Sequence, residues 1–224
     1  MKMKIAVVTA NMGSFDRPRP YTEQSVEYDR HHFTDKNFPP RLCSMTSRLQ
    51  ARIPKMFGWQ MAPNYDVYIW VDCSYALSHQ DSVKWFVESL GEGDLLLFRH
   101  PTRDTILQEA DHIQERLDKG CPYITPRYQN ELIKEQMAVI AADPNYVDDR
   151  LYASTALAYR NNKKVQEMMI QWWYHTSRFH SVDQLSLPYV AFKSGCQVKE
   201  VPLPRNSSSR INIPYMAKTR VPNG

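Results

Sequence analysis

Asp72 closes an unbroken apolar run, Val67 to Val71, in the stretch YDVYIWVDCS. A short run apolar on both faces and rich in β-branched and aromatic residues reads as a buried central strand. In open α/β sheets ligands bind beyond the carboxyl ends of the strands, so Asp72 and Ser74 stand where a ligand would enter. A carboxylate there can hold a cation against a phosphate, or it can simply start a turn with Cys73 and Ser74. Arg48, Arg52 and Lys55 recur at helical spacing and place three cations on one face, which suits a diphosphate as well as an ordinary solvated face. A second apolar run, Leu95 to Phe98, delivers Arg99, His100, Pro101 and Arg103 to the edge that carries Asp72 if the two strands run parallel. A lone histidine is commonly a hydrogen-bonded structural residue, and its strand-end position is what makes His100 a candidate.

The elements around these residues follow from pattern. Lys4 to Thr9 reads as an opening strand, with Ala10-Asn11-Met12-Gly13 as its turn, so that Thr9 and Asn11 can lie against a nucleotide. The glycine of that turn stands alone, without the GxGxxG or GxxxxGK spacing of dinucleotide and ATP sites. Tyr28 to Thr34 reads as a strand. Leu42 to Phe57 reads as a helix that Pro54 should kink or divide. A helix beginning at Asp81 or Ser82 ends at Gly91, and another from Ile106 to Leu117 stops at Gly120. The pattern then predicts a helix from about Arg127 to Ala142, a strand from Leu151 to Tyr159, a helix from Val165 to Tyr174 and a last strand from Gln197 to Val201. Ser181 and Gln184 have capping-box spacing at the head of a helix Leu185 to Phe192, and Asp183 between them suits the helix dipole.

A chain of 224 residues suits a single α/β domain. The net charge of +4 is local: Arg205, Arg210, Lys218 and Arg220 lie in a terminal stretch without acids, so residues 1 to 204 sum to zero. A globally basic face of the nucleic-acid-binding kind is therefore not evident. Residues 1–204 read as the domain and 205–224 as a basic arm or lid. Cys43, Cys73, Cys121 and Cys196 are widely separated and predict free thiols rather than a disulfide framework or a zinc cluster. The N-terminal apolar stretch is too short for a signal segment and no stretch approaches the ~20 apolar residues of a membrane span, so the expectation is a soluble, cytoplasmic protein.

Several separated blocks, YDRHHFTD, ARIPK, YDVYIWVDCS, FRHPTRD with Glu109, and WWYHTSRFHSVDQLSLPYV, occur in this order along most of the chain. The ordered set resembles a glycosyltransferase-like family, formerly a domain of unknown function, linked to plant mucilage and cell-wall polysaccharide synthesis. The resemblance implies a single GT-A-like (Rossmann-like) α/β domain with a mostly parallel central sheet flanked by helices. It also implies a nucleotide-sugar donor and a divalent metal, Mn or Mg, at Asp72. Where such folds carry Asp-x-Asp, this chain has Asp72-Cys73-Ser74, without the second carboxylate. By analogy with GT-A sites, Asp183 serves as the base for an acceptor hydroxyl in an inverting transfer, or faces the sugar in a retaining one, and His100 is the second catalytic candidate. Thr9, Asn11, Arg48, Arg52, Lys55, Asp72, Ser74, Arg103 and Gln184 would contact the donor. Negative charge building on the leaving nucleoside diphosphate needs a cation or paired basic side chains to stabilise it. The expected activity is transfer of a sugar to a hydroxyl of a saccharide, a lipid or a hydroxylated base in DNA. The alternative is a catalytically silent nucleotide-sugar or nucleic-acid binder of the same fold.

Overall fold

The computed structural model describes residues 2–41, 44–205 and 211–218. In chain order these form β1 (Ile5–Asn11), β2 (Asp29–Thr34), α1 (Ser47–Met61), β3 (Val67–Val71), β4 (Tyr75–Leu77), α2 (Ser82–Leu90), β5 (Leu95–Arg99), α3 (Ile106–Asp118) and α4 (Thr125–Tyr128). There follow α5 (Ile133–Ala141), β6 (Tyr152–Arg160), α6 (Lys163–Arg178), α7 (Leu187–Ser194), β7 (Val198–Val201) and β8 (Met216–Lys218). Six strands make one sheet in the order β2-β1-β3-β6-β5-β7, and β4 pairs with β8 in a separate ribbon. Every strand of the large sheet runs parallel to the others except β6, which lies antiparallel between β3 and β5. The chain is a single α/β domain with a mostly parallel central sheet flanked by helices, as the GT-A-like reading predicts.

Both faces of the sheet are buried, which is why its central strands read as continuous apolar runs. Along β3, Tyr68 and Trp70 pack with Met56 of α1 and Met168, Met169 and Trp172 of α6, while Val67, Ile69 and Val71 pack with Val83, Phe86 and Leu90 of α2. Gly58 lets α1 lie close on the sheet, since a Cβ there would stand 3.2 Å from Val8 Cγ2 and 3.4 Å from the Tyr159 hydroxyl. β3 and β5 are parallel because both pair antiparallel with β6, so Asp72 and His100 do leave the sheet at the same edge.

The structure departs from the pattern at several places. Helix α1 runs through Pro54, and the departure from helical dihedrals comes three residues later at Phe57. The single helix expected from Arg127 to Ala142 is two, α4 and α5, because Asn130 takes a left-handed conformation (φ 69°) between them. The capping box does not form. Ser181 gives both its backbone N–H and its hydroxyl to Glu131, Gln184 reaches Glu109 instead, and Asp183–Leu185 is a 3₁₀ turn preceding α7. Two strands escaped the pattern. β4 and β8 are three residues each, and β8 lies in the stretch read as an aperiodic arm. Tyr75 donates its hydroxyl to the Ile211 carbonyl at 2.8 Å, and Ile213 is buried against the α2 side of the sheet, so residues 211–218 pack on the domain. Leu42, Cys43, Arg210 and Arg220 lie outside the described residues. Among the described residues no disulfide forms, and no helix is long and apolar enough to cross a membrane.

Candidate functional site

A cavity of about 440 Å³ opens beyond the carboxyl ends of β1 and β3. The end of β1 supplies Ala10 and Asn11, the following turn supplies Met12, Phe15 and Asp16, and β3 with its exit supplies Trp70, Asp72, Cys73, Ser74 and Tyr75. Ser47, Arg48 and Arg52 enter from the first half of α1, Tyr123, Arg127 and Tyr128 from α4 and the turn before it, Ile211 from the segment ahead of β8 and Lys218 from β8. A larger hollow, about 760 Å³, lies at the amino ends of the same strands and mixes Lys2 and Lys4 with Glu23, Glu27 and Asp29. Ligands of open α/β sheets bind at the opposite edge, and the smaller, cation-lined cavity is the one placed there.

Thr46 starts α1 by accepting the Leu49 N–H, and the helix then presents Arg48, Arg52 and Lys55 along one face. At Lys55 that face is sealed from solvent. The Lys55 side chain is 0% exposed, its Nζ donating to the Ser154 carbonyl at 2.5 Å and to Asp183 Oδ2 at 2.6 Å, between the rings of Trp70 and Trp172. Ser154 donates its hydroxyl to Asp183 Oδ1 at 2.8 Å. Arg52 Nε stands 3.1 Å from Asp183 Oδ2 as an ion pair, and its guanidinium reaches the cavity wall. Asp72 completes the group: its backbone N–H bonds the Thr155 carbonyl at 2.9 Å and its Oδ1 accepts the Trp70 indole N–H at 2.7 Å.

Two cations and two carboxylates thus form a neutral, largely buried set. Burial works against the charge on Asp183, but Arg52 and Lys55 hold its carboxyl below the usual range. Burial lifts the Asp72 carboxyl above its ordinary value, with Lys55 and Arg52 opposing. Lys55 is pulled below its ordinary value by burial, with Asp183 and Asp72 opposing. Arg52 suffers the same desolvation, yet the carboxylates of Asp183 and Asp72 raise it.

The structure therefore sorts the residues singled out from sequence. Asn11, Arg48, Arg52, Asp72 and Ser74 line the cavity, whereas Thr9, Lys55, His100, Arg103, Asp183 and Gln184 do not. Asp183 is 2% exposed, with Oδ1 accepting from Ser154 and Oδ2 facing Lys55 and Arg52, and it does not line the cavity where a base for the acceptor would stand. Thr9 is buried with its hydroxyl against Tyr21 and Cys73, beneath the floor rather than on it. Asn11 spends its side-chain amide on the backbone of Asp16, shaping the turn. The FRHPTRD and VDQL blocks meet at one carboxylate, since Glu109 pairs with Arg103 and accepts the Gln184 amide at 2.5 Å. They brace the segment that carries Asp183, and neither Arg103 nor Gln184 reaches the cavity. Phe15, Asp16, Tyr123, Arg127 and Lys218 belong to the wall and were not found from sequence as site residues. Lys218 had a signal as one of the tail cations, while Arg127 and Tyr123, in a segment with no strand-end or helical-stripe signature, had none.

His100 is a turn residue. Its Nδ1 accepts the N–H groups of Thr102 at 3.3 Å and Arg103 at 3.1 Å, and burial, helped by Arg103 and His112, pushes its pKa down to about 4. Because this lies below the ordinary 6.5, the fold favours neutral imidazole. Its contribution to stability is full above pH 6.5 and is lost as the pH falls through about 4. His100→Asn keeps an acceptor for the turn without a titrating ring. The wild type is expected to lose melting temperature more steeply than this variant across that window, as read by circular dichroism. Parallel profiles would remove His100 from the acid transition.

No protein-family model matches the chain, and no curated protein sequence matches it. Among solved structures, a glycosyltransferase involved in glycosylation of the major capsid of PBCV-1 is similar at 6% identity and TM-score 0.45, over 88% of this chain and 82% of that one. A 4-diphosphocytidyl-2C-methyl-D-erythritol synthase from Anaerococcus prevotii DSM 20548 is similar at 13% identity and TM-score 0.45, over 94% and 92%. Neither likeness transfers any chemistry to this chain.

Proposed function

We propose that the chain is a glycosyltransferase of the family its sequence blocks resemble, moving a sugar from a nucleotide donor to a hydroxyl acceptor. The observation behind this reading is the strand-end cavity in which Arg48, Arg52, Arg127 and Lys218 surround Asp72 among the rings of Trp70, Tyr75, Tyr123 and Tyr128. Arginine forks suit phosphate oxygens, and aromatic faces suit a base or a sugar.

The residues do not fit a metal held by the protein. Asp72 has one oxygen committed to the Trp70 indole, and Arg52 and Lys55 already act on its charge. Among the described residues no group of three His, Cys, Asp or Glu side chains could hold an ion without oxygens from the ligand itself. The proposed chemistry therefore runs through side chains alone. As the sugar carbon leaves the diphosphate oxygen, charge gathers on the departing phosphates, and the guanidinium groups fixed around the cavity stabilise it. The acceptor hydroxyl forms the new bond to that carbon and gives up its proton. Asp72 is the part-buried carboxylate on the wall, with a raised pKa and, among the described residues, no hydrogen bond to Oδ2, and it takes that proton in an inverting transfer. Asp183 acts at one remove, as the counter-ion that fixes Arg52 and Lys55.

The acceptor chemistry is a hydroxyl of a saccharide or lipid, with a hydroxylated base in DNA as the further option offered by the basic tail. A thermal-shift screen of UDP-, GDP-, CMP- and ADP-sugars tests the reading, because a ligand of the folded state raises its melting temperature. One donor class is expected to stabilise the protein by several degrees and to be hydrolysed slowly or transferred. Stabilisation with neither hydrolysis nor transfer would favour the silent binder, and no response to any donor would end the proposal.

A further inference from the structure

We infer that this cavity binds a pyrophosphate group through its own cations, with no divalent metal bridging ligand and protein. The inference concerns the donor half of the site proposed above and rests on that reading only for the identity of the natural ligand. Four cations reach the cavity from three separate parts of the chain: Arg48 and Arg52 from α1, Arg127 from α4 and Lys218 from β8. Two carboxylates, Asp16 and Asp72, oppose them, leaving the wall with two positive charges in excess. The doubly esterified diphosphate of a nucleotide-sugar carries about as much negative charge at neutral pH, and inorganic pyrophosphate carries more.

Arg48, Arg127 and Arg52 are held before any ligand arrives. The Arg48 guanidinium lies 4.8 Å from the centre of the Tyr128 ring. Arg127 stacks 3.8 Å over Tyr123 and donates to the Tyr123 carbonyl at 2.6 Å. Arg52 is fixed by Asp183, itself tied to Lys55 and Ser154. Restricting these side chains beforehand lowers the entropy lost on binding.

A divalent ion finds the opposite conditions here. Mg²⁺ and Mn²⁺ favour carboxylate, carbonyl and water oxygens. Asp72 shares its charge with Arg52 and Lys55, and a dication bound to it would sit in the field of both. Asn11, the neighbouring amide, is taken up by the backbone of Asp16. The second position of the usual acidic pair is Ser74, an uncharged donor.

Isothermal titration of the full chain with inorganic pyrophosphate, once in EDTA and once in excess Mg²⁺ or Mn²⁺, tests this directly. Binding is expected in EDTA, with an affinity that metal leaves unchanged or weakens by complexing the ligand. Arg48→Ala and Arg127→Ala are each expected to weaken it about tenfold or more, as loss of a charge-assisted phosphate contact does. Both side chains sit at the cavity wall outside the Asp183 set, so melting temperature should stay near wild type and certify the fold. Binding that appears only with metal, binding in EDTA indifferent to both substitutions, or no binding at all would each overturn the inference. A pyrophosphate complex formed in EDTA by a protein that accepts no nucleotide-sugar would keep it and remove the transferase reading instead.

Discussion

Asp183→Asn is expected to melt on the order of 10 °C below the wild type, a large effect for a nearly isosteric change at a position patterned as a helix start. The carboxylate is 2% exposed and receives Lys55 at 2.6 Å, Ser154 at 2.8 Å and Arg52 at 3.1 Å. Asn keeps one acceptor oxygen but turns the other position into a donor facing an ammonium, and it leaves two buried cations balanced by Asp72 alone. Removing one partner of a buried pair typically costs about 3 to 5 kcal/mol, which in a chain of this size is the stated fall in melting temperature. The double variant Lys55→Met, Asp183→Asn should melt above the Asp183→Asn single, because it removes the stranded charge along with its partner. Circular-dichroism melts of the three proteins decide the matter. If the single variant unfolds within two or three degrees of wild type, the set is not holding the site. The pH behaviour follows in sign: the Asp183 carboxyl is held below its ordinary 3.8, so its contribution is full above that pH and is lost as the pH falls further.

Asp72→Asn carries the largest expected loss of activity. Its Oδ1 accepts one indole N–H, which the Asn amide oxygen also accepts, and burial already disfavours its charge. Neutralising it therefore relieves a desolvation cost that partly offsets the lost attraction to Lys55 and Arg52, and the variant should fold with a smaller melting shift than Asp183→Asn. If Asp72 takes the acceptor proton, transfer should fall by roughly 100- to 10,000-fold while donor affinity is retained. Single-turnover rates at saturating donor, set beside titration of the same donor, separate the two quantities. A variant that turns over at the wild-type rate would take Asp72 out of the chemistry. One that loses donor affinity in step with rate would make it a binding residue.

The amino-acid sequence by itself determined the fold class and the edge at which the candidate site lies. Continuous apolar runs such as Val67–Val71 and Leu95–Phe98 are possible in a water-soluble chain only if both faces are covered, and that demands helices on either side of the sheet. An acid at the end of such a run must then stand at the sheet edge, where the structure has Asp72. Helical spacing likewise put Arg48, Arg52 and Lys55 on one face. Only the tertiary structure decided which of these cations meets solvent, because that depends on what α1 packs against: Lys55 is sealed between Trp70 and Trp172, while Arg48 and Arg52 reach the cavity. The role of Asp183 was decided the same way. Local pattern offers a helix start, and the contacts that make it a counter-ion come from residues 128 and 131 positions away in the chain. β4 and β8 are too short to show a period, and they exist because each pairs with the other across more than a hundred residues, bringing Lys218 to the wall. Periodicity records which face of an element is buried, and is silent on which distant side chain covers it.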